Sequence, residues 1–358
     1  MPDAFDKLAF ETAQAARIGW FFGQKLLAAR LAKPVPVPEK FRGRTMPDRR
    51  RLLGDLWRLI EQDWQNIAHG LYAMPEDWRG NPLDGLRRAA DFFTDLRAVE
   101  ARRHGDPAER LLPERLLTEA PTGHYPRYYL RKFHFQTDGY LSEASAERYD
   151  HQVEVLFGGG AAAMRRQTLV PLRTALLEQK GGANAARLLD LGCGTGEFLR
   201  EVKRNYPRLA VTALDLSAPY LKVAERRLAD WSRVEMLEAA AEAIPAPDAS
   251  FDIVTALYLF HELPSRIRQA VAAEIRRVLK PGGALLLVDS LQTGDEPDYD
   301  ALLDYFPYAF HEPYYASYLR EDFDRLLTPG FLRKSSVSAY FSKVVSYRRG
   351  ESDSGEPR

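Results

Sequence analysis

The run Leu188-Leu189-Asp190-Leu191-Gly192-Cys193-Gly194-Thr195-Gly196-Glu197-Phe198-Leu199 constrains this chain more than any other stretch of it. An apolar segment ends in an acid and passes at once into three glycines at alternate positions. Arg187 to Leu191 shows no polar alternation, the pattern of a parallel strand with helices over both faces. Gly192, Gly194 and Gly196 let the backbone turn sharply and approach a ligand where a Cβ would collide. The stretch therefore reads as strand, tight turn and helix.

A glycine-rich turn of this kind also suits a dinucleotide, so its neighbours decide. Ala210 to Leu214 form a second apolar strand that ends in Asp215, 25 residues after Asp190. An acid at that tip is placed to take two ribose hydroxyls. A nicotinamide site would show G-x-G-x-x-G, but counting from Gly194 the third position is Leu199. The order acid-Leu-Gly-Cys-Gly-Thr-Gly, with the acid before the first glycine, resembles the S-adenosyl-L-methionine loop of class I methyltransferases. The likeness covers about residues 141–349 and is to the small-molecule type, similar to the ubiquinone/menaquinone methyltransferase group.

The order of apolar segments agrees with it. A helix over 219–231, a strand over 233–237, a strand over 251–257, a helix over 264–279 and a strand over 284–288 alternate as a doubly wound parallel sheet requires. After a helix at 316–327, the segments 331–340 and 343–347 alternate apolar and polar residues and lie close enough for an antiparallel hairpin. The expected fold class is α/β, a doubly wound Rossmann-like seven-stranded sheet with a C-terminal antiparallel hairpin, preceded by an all-α N-terminal region. Units are drawn at 1–120 (helical), 121–140 (aromatic-rich connector or lid), 141–350 (methyltransferase-like) and 351–358 (disordered tail).

In the first unit, helical periodicity runs over 5–32, 52–71 and 82–103, with a proline-rich connector at 33–47. Trp57, Trp64 and Trp78 read as core. Aromatic and basic residues at 18–32 suit a membrane surface, but the adopted reading is a helix packed on its own protein. The unit is expected to shape the acceptor pocket or an oligomer interface such as a homodimer's. Ser142 caps a helix to Phe157, whose Ala146-Glu147-Arg148-Tyr149-Asp150 resembles the short helix that closes over the cofactor in small-molecule methyltransferases. The segment 164–180 reads as the helix leading into the sheet.

Fifty basic against fifty acidic side chains give no global field for nucleic acid, which is not expected as a partner; the resemblance implies a small-molecule acceptor. The single cysteine, Cys193, permits neither a disulfide nor a cysteine zinc site within one chain, and no metal site is expected. No leader and no apolar run of about 18 residues occurs, and the chain is expected in the cytoplasm.

Ligands of a doubly wound sheet sit beyond the carboxyl ends of its strands. The resemblance implies S-adenosyl-L-methionine as cofactor, with Asp190, Gly192, Gly194 and Gly196 around the methionine moiety, Asp215 on the ribose and Leu216 against the adenine. Leu257 lies at the tip of the fourth strand. The family pattern Gly-Asp-Ala-Glu departs here to Ala239-Ala240-Ala241-Glu242. Ala240 replaces the acid that bonds adenine, leaving the Ala241 backbone and Glu242 or Glu238 to take its place.

Methyl transfer to a hydroxyl or ammonium needs a base. His261, in Leu259-Phe260-His261-Glu262-Leu263, is the candidate, because imidazole titrates near neutrality. The segment is similar to the Leu-His-Asp-Trp stretch of plant-type small-molecule O-methyltransferases, whose histidine is the base. It also resembles the histidine-containing turn of the ubiquinone/menaquinone C-methyltransferase group. O-methylation of a small hydrophobic or aromatic acceptor is the first expectation. C- or N-methylation is the alternative, and a non-catalytic binding or docking protein is a third. Acceptor contacts are assigned to His134, Tyr140, Tyr149, Tyr305, His311 and Tyr315, from two aromatic-rich segments suited to a roomy apolar pocket.

Overall fold

The structure, a computed structural model, describes residues 2–33, 38–76, 82–105 and 125–351. Trp78, part of the proline-rich connector, residues 106–124 and residues 352–358 lie outside the described residues.

Seven strands form one sheet in the order β3-β2-β1-β4-β5-β7-β6. They are β1 Arg187–Leu191, β2 Ala210–Asp215, β3 Val234–Glu238, β4 Phe251–Leu257, β5 Leu279–Ser290, β6 Phe331–Ala339 and β7 Ser342–Arg349. β1 to β5 are parallel, and β7 returns antiparallel beside β5 with β6 at the edge. The expected doubly wound sheet with its terminal hairpin is present. Alternate residues of the same strand feed different cores. Leu188, Ile253 and Leu286 join one cluster, and Leu189, Val254 and Leu285 join the other. Both faces at the centre of the sheet are therefore dry, which explains the lack of polar alternation in β1 and β4. Strand order reverses between β1 and β4, so a crevice opens at their carboxyl ends.

The N-terminal region supplies three long helices: α1 Ala4–Leu31, α2 Arg49–Ala68 and α3 Pro82–His104. Asp3 caps α1 in a capping box with Asp6, and Asp48 caps α2 by accepting from the Arg51 amide. Helix α1 buries Phe10, Gln14, Phe21 and Gln24, with Phe10 against Trp64 and Phe21 against His151. It packs on its own protein, though Trp20 and Leu31 stay exposed. No described helix is long and apolar enough to cross a membrane. Trp64 is core, whereas Trp57 is 43% exposed on the outer face of α2 and is not.

Helix α4, Glu143–Leu156, begins at Ser142, whose side chain caps the Ser145 amide. The expected helix over 164–180 is instead α5 Ala161–Arg166 and α6 Leu169–Leu177. Pro171 sits in the first turn of α6 and brings no N–H to bond back across the junction. The 280–283 turn is absorbed into β5 as a register shift between Phe251 and Ile253 of its neighbour. The expected helix over 316–327 is two short pieces, Tyr315–Tyr318 and Phe323–Leu327. Between β5 and them, Asp300–Phe310 is an additional helix. Further helices flank the sheet ahead of these: Glu197–Asn205 after the glycine turn, Ala218–Leu228 after β2 and Ser265–Val278 before β5, the last where a helix over 264–279 is expected.

Candidate functional site

The glycine turn is held by Asp215. One of its carboxylate oxygens accepts the Gly194 amide at 2.8 Å and the other the Ser217 amide at 2.8 Å. Gly192 and Gly194 have φ of 67° and 55°, where an L side chain is strained. A Cβ on Gly194 would meet nothing within 4 Å, so that face opens onto free space. Gly196 differs. A Cβ there would lie 3.1 Å from the Ala224 side chain, so this glycine serves close packing of the helix that follows the turn. Asp190, buried under the loop, accepts the Thr255 hydroxyl at 2.6 Å. Burial pushes the Asp190 carboxyl up to about 7 and that of Asp215 up to about 6.

Helix α4 clasps the loop from outside. The Thr195 hydroxyl donates to both Asp150 oxygens at 2.8 and 2.9 Å. Arg227 bridges the same carboxylate at 2.9 Å and the Thr195 carbonyl at 2.7 Å.

Two cavities meet at this loop. A narrow cleft of about 100 Å³ lies between Asp215, Leu216, Ala241 and Glu242 on one side and Tyr128, Tyr129 and Tyr140 on the other. Its neighbour is a chamber of about 380 Å³ with an apolar lining that includes Met164, Leu302, Phe306, Phe310 and Phe341. Gly192, Gly194, Leu257, Tyr149, Tyr258 and Glu262 line both. The chamber continues at Lys25, His134, Val153, Leu156 and Phe310 into a crevice of about 280 Å³ between α1, α3 and α4. Lys25 donates to the Leu156 carbonyl at 2.7 Å, and burial holds its ammonium down to about 8.

His261 stands on the chamber wall, in the turn after β4. Its Nδ1 lies 2.6 Å from Asp289 of the adjacent strand β5, and its amide donates to the other oxygen of that carboxylate at 3.2 Å. A carboxylate only accepts, so the proton on this side is on Nδ1, and Nε2 is the nitrogen that takes up or releases the second one. Burial opposes a charged ring, but Asp289 prevails and pushes His261 up to about 9. Burial also pushes the Glu262 carboxyl up to about 7 against the pull of His261; this side chain accepts the Tyr140 hydroxyl.

The methyltransferase-domain family matches residues 188–283, the stretch from β1 into β5. A ubiquinone/menaquinone biosynthesis C-methyltransferase UbiE of Methylobacterium nodulans is 31% identical over 214 residues, which span 56% of this chain and 81% of that protein. The chain belongs to the class I S-adenosylmethionine-dependent methyltransferases. A demethylmenaquinone methyltransferase of Thermotoga maritima is 35% identical over 151 residues, 42% of this chain, and the chain spans 60% of that relative's length. Among solved structures, a sarcosine dimethylglycine methyltransferase described from Galdieria sulphuraria aligns over 55% of this chain and 88% of its own, with 14% identity and a TM-score of 0.42.

The cofactor of this methyltransferase is S-adenosyl-L-methionine, and the cleft fits it. Gly194 leaves open the volume a side chain would take. Glu242 accepts the Tyr128 hydroxyl at 2.6 Å through one oxygen, while the other is buried without a partner beside Ala241. That oxygen lies two residues beyond Ala240, on the wall of the cleft. Leu216 and Leu257 also line the cleft, as expected, whereas Gly196 does not.

Of the acceptor assignments, His134, Tyr149 and Tyr315 line the chamber and Tyr140 lines the cleft. Tyr305 instead packs its ring on Phe41 at 5.4 Å, and the His311 ring lies 5.3 Å from Phe135. Neither lines either cavity, because residue 305 falls on the outer side of the Asp300–Phe310 helix and His311 caps its end. Sequence reasoning missed Lys25, Asp150, Glu262 and Glu312 as site residues. For Asp150 a signal existed, since it ends the stretch already likened to a cofactor-closing helix.

Proposed function

We propose that this methyltransferase acts on a small aromatic acceptor that carries an acidic hydroxyl and an apolar tail, and methylates that oxygen with His261 taking its proton. The observation that carries the proposal is the apolar chamber beside the glycine loop, with its continuation between α1, α3 and α4. A ring in the chamber would meet Phe306, Tyr315 and Tyr149, and the crevice gives an aliphatic tail a path past Val153 and Leu156. When bound, the cofactor supplies an electrophilic methyl on a positively charged sulfur. The chain's part is to exclude water, align the acceptor oxygen and hold its proton at Nε2 of His261, with Asp289 fixing the ring.

C-methylation at a ring carbon is a second reading, favoured by the names of the relatives: ubiquinone/menaquinone biosynthesis C-methyltransferase and demethylmenaquinone methyltransferase. Loss of the same hydroxyl proton activates an adjacent ring carbon, so the dyad serves either outcome. The test is transfer of an isotopically labelled methyl to phenols and hydroquinones with and without alkyl or isoprenoid tails, followed by NMR of the product. Tailed phenols should show KM at least ~10-fold below their short analogues, since a few buried methylenes contribute about 0.8 kcal/mol each. Equal KM for both would remove the tail assignment, and turnover of carboxylates or amines alone would remove the hydroxyl.

A further inference from the structure

Three ligating side chains from distant segments converge at the junction of cleft and chamber. One ligand atom each of His134, Glu262 and Glu312 lies within 4.8 Å of the other two. His134 comes from the turn Phe133–Phe135, Glu262 from the turn after β4, and Glu312 from just beyond the Asp300–Phe310 helix. His134 and Glu262 line the chamber, and the Glu312 side chain is wholly buried behind them.

Glu312 is the anomaly. His134 Nε2 stands 3.0 Å from its Oε1 as an ion pair, whereas Oε2 of Glu312 is buried with no hydrogen-bond partner among the described residues. A buried carboxylate is retained only where something positive or donating completes it. Nearby, His261 pairs with Asp289 and its Nε2 stands 3.9 Å from Glu262, so in ionised form three carboxylates, Asp289, Glu262 and Glu312, face two imidazoles. Within the cluster itself, negative charge exceeds positive.

We propose that His134, Glu262 and Glu312 bind one divalent transition-metal ion. One imidazole nitrogen with two carboxylates suits Mn²⁺, Fe²⁺ or Zn²⁺ better than Mg²⁺ or Ca²⁺, which take all-oxygen sets. Ligand atoms about 2.1 Å from a common ion stand roughly 3 Å apart at right angles and at most about 4.2 Å apart. The 3.0 Å separation of His134 and Glu312 already meets the first figure. Glu262 closes the set by a shift of under about 1 Å. With only three protein ligands the ion keeps positions open toward the chamber, where it would hold an acceptor oxygen and make its hydroxyl more acidic. That last role alone rests on the acceptor proposed above.

The test is a titration of the full chain, stripped with EDTA, using Mn²⁺ followed by electron paramagnetic resonance and Zn²⁺ followed by calorimetry. One ion per chain is expected, with His134→Gln and Glu312→Gln each weakening it by ~100-fold or more, while S-adenosylhomocysteine binding and the thermal midpoint hold. Should His134→Gln fail to fold, the isosteric Glu312→Gln decides. Wild-type metal affinity no better than that of Glu312→Gln overturns the site, as does a cluster that takes a methylammonium probe and no metal. No acceptor enters these titrations, so they report on the metal site whether or not an acceptor screen succeeds.

Discussion

At the scale of single residues, the site depends on where protons sit. Asp215 is a carboxyl pushed up to about 6 by burial, against the pull of the Ser217 and Gly194 amides. Its folded value lies above the ordinary aspartate value of about 3.9, so it takes up a proton as pH falls through 6. A neutral acid no longer accepts well from the loop amide together with the ribose hydroxyls we propose for it. S-adenosylhomocysteine affinity should therefore fall about tenfold between pH 7 and pH 5, and in Asp215→Asn it should be weaker with that part of the pH dependence gone. Because Asp190 also titrates near 7, the difference between the two calorimetric profiles is what reports on Asp215. His261→Gln should lower turnover by ~10²-fold or more with S-adenosylhomocysteine affinity retained, and an unaffected rate would make the histidine a packing residue. Asp190, Gly192, Gly194 and Asp215 were legible in the sequence because a strand tip and a left-handed glycine turn are local events. The pairing of His261 with Asp289 needed one step more, the hydrogen-bonded adjacency of β4 and β5. The meeting of His134 with Glu312 was not legible, since no local periodicity links segments 178 residues apart.

At the scale of elements, the sheet followed from its apolar runs, whereas the short helices after β5 did not, because tyrosine-rich text suits loop and helix alike. Their packing is set by long-range partners. Tyr315 bonds Ser290, and Tyr318 bonds the Ser290 carbonyl. Helix α4 shows how one element controls another. Its Asp150 is the sole described side chain joining Thr195 and Arg227, so it fixes the glycine turn where the turn borders the chamber. Asp150→Ala removes a carboxylate that accepts from both and leaves Arg227 with Glu197 as its one ionic partner among the described residues. The loop amides should then be less well ordered, and S-adenosylhomocysteine affinity should drop ~10-fold, about 1.4 kcal/mol. Hydrogen exchange of the Gly194–Glu197 amides should quicken in the same variant, and unchanged exchange would confine Asp150 to surface electrostatics.

At the scale of the molecule, the N-terminal helices matter because they complete the chamber rather than because they touch the cleft. Lys25 of α1 lines the chamber, and Leu52 of α2 does as well, whereas neither reaches the cleft. One fastening of this layer is a fully buried ion pair. Arg166 of α5 meets both oxygens of Asp63 of α2, the closest contact being 2.5 Å, with neither side chain more than 1% exposed. The Tyr72 hydroxyl donates to the same carboxylate at 2.6 Å. A buried pair contributes little net stability over an apolar pair of the same shape, but removing one partner strands the other. Asp63→Ala should cost about 3–5 kcal/mol in denaturant unfolding, and Asp63→Leu combined with Arg166→Met should recover most of it. A loss below about 1 kcal/mol would mean that water reaches Arg166. Because the cleft is built from the sheet side and the aromatic segment, the single variant should raise KM for the acceptor while S-adenosylhomocysteine affinity changes little. An equal loss of both would show instead that the helical layer and the glycine loop unfold as one unit.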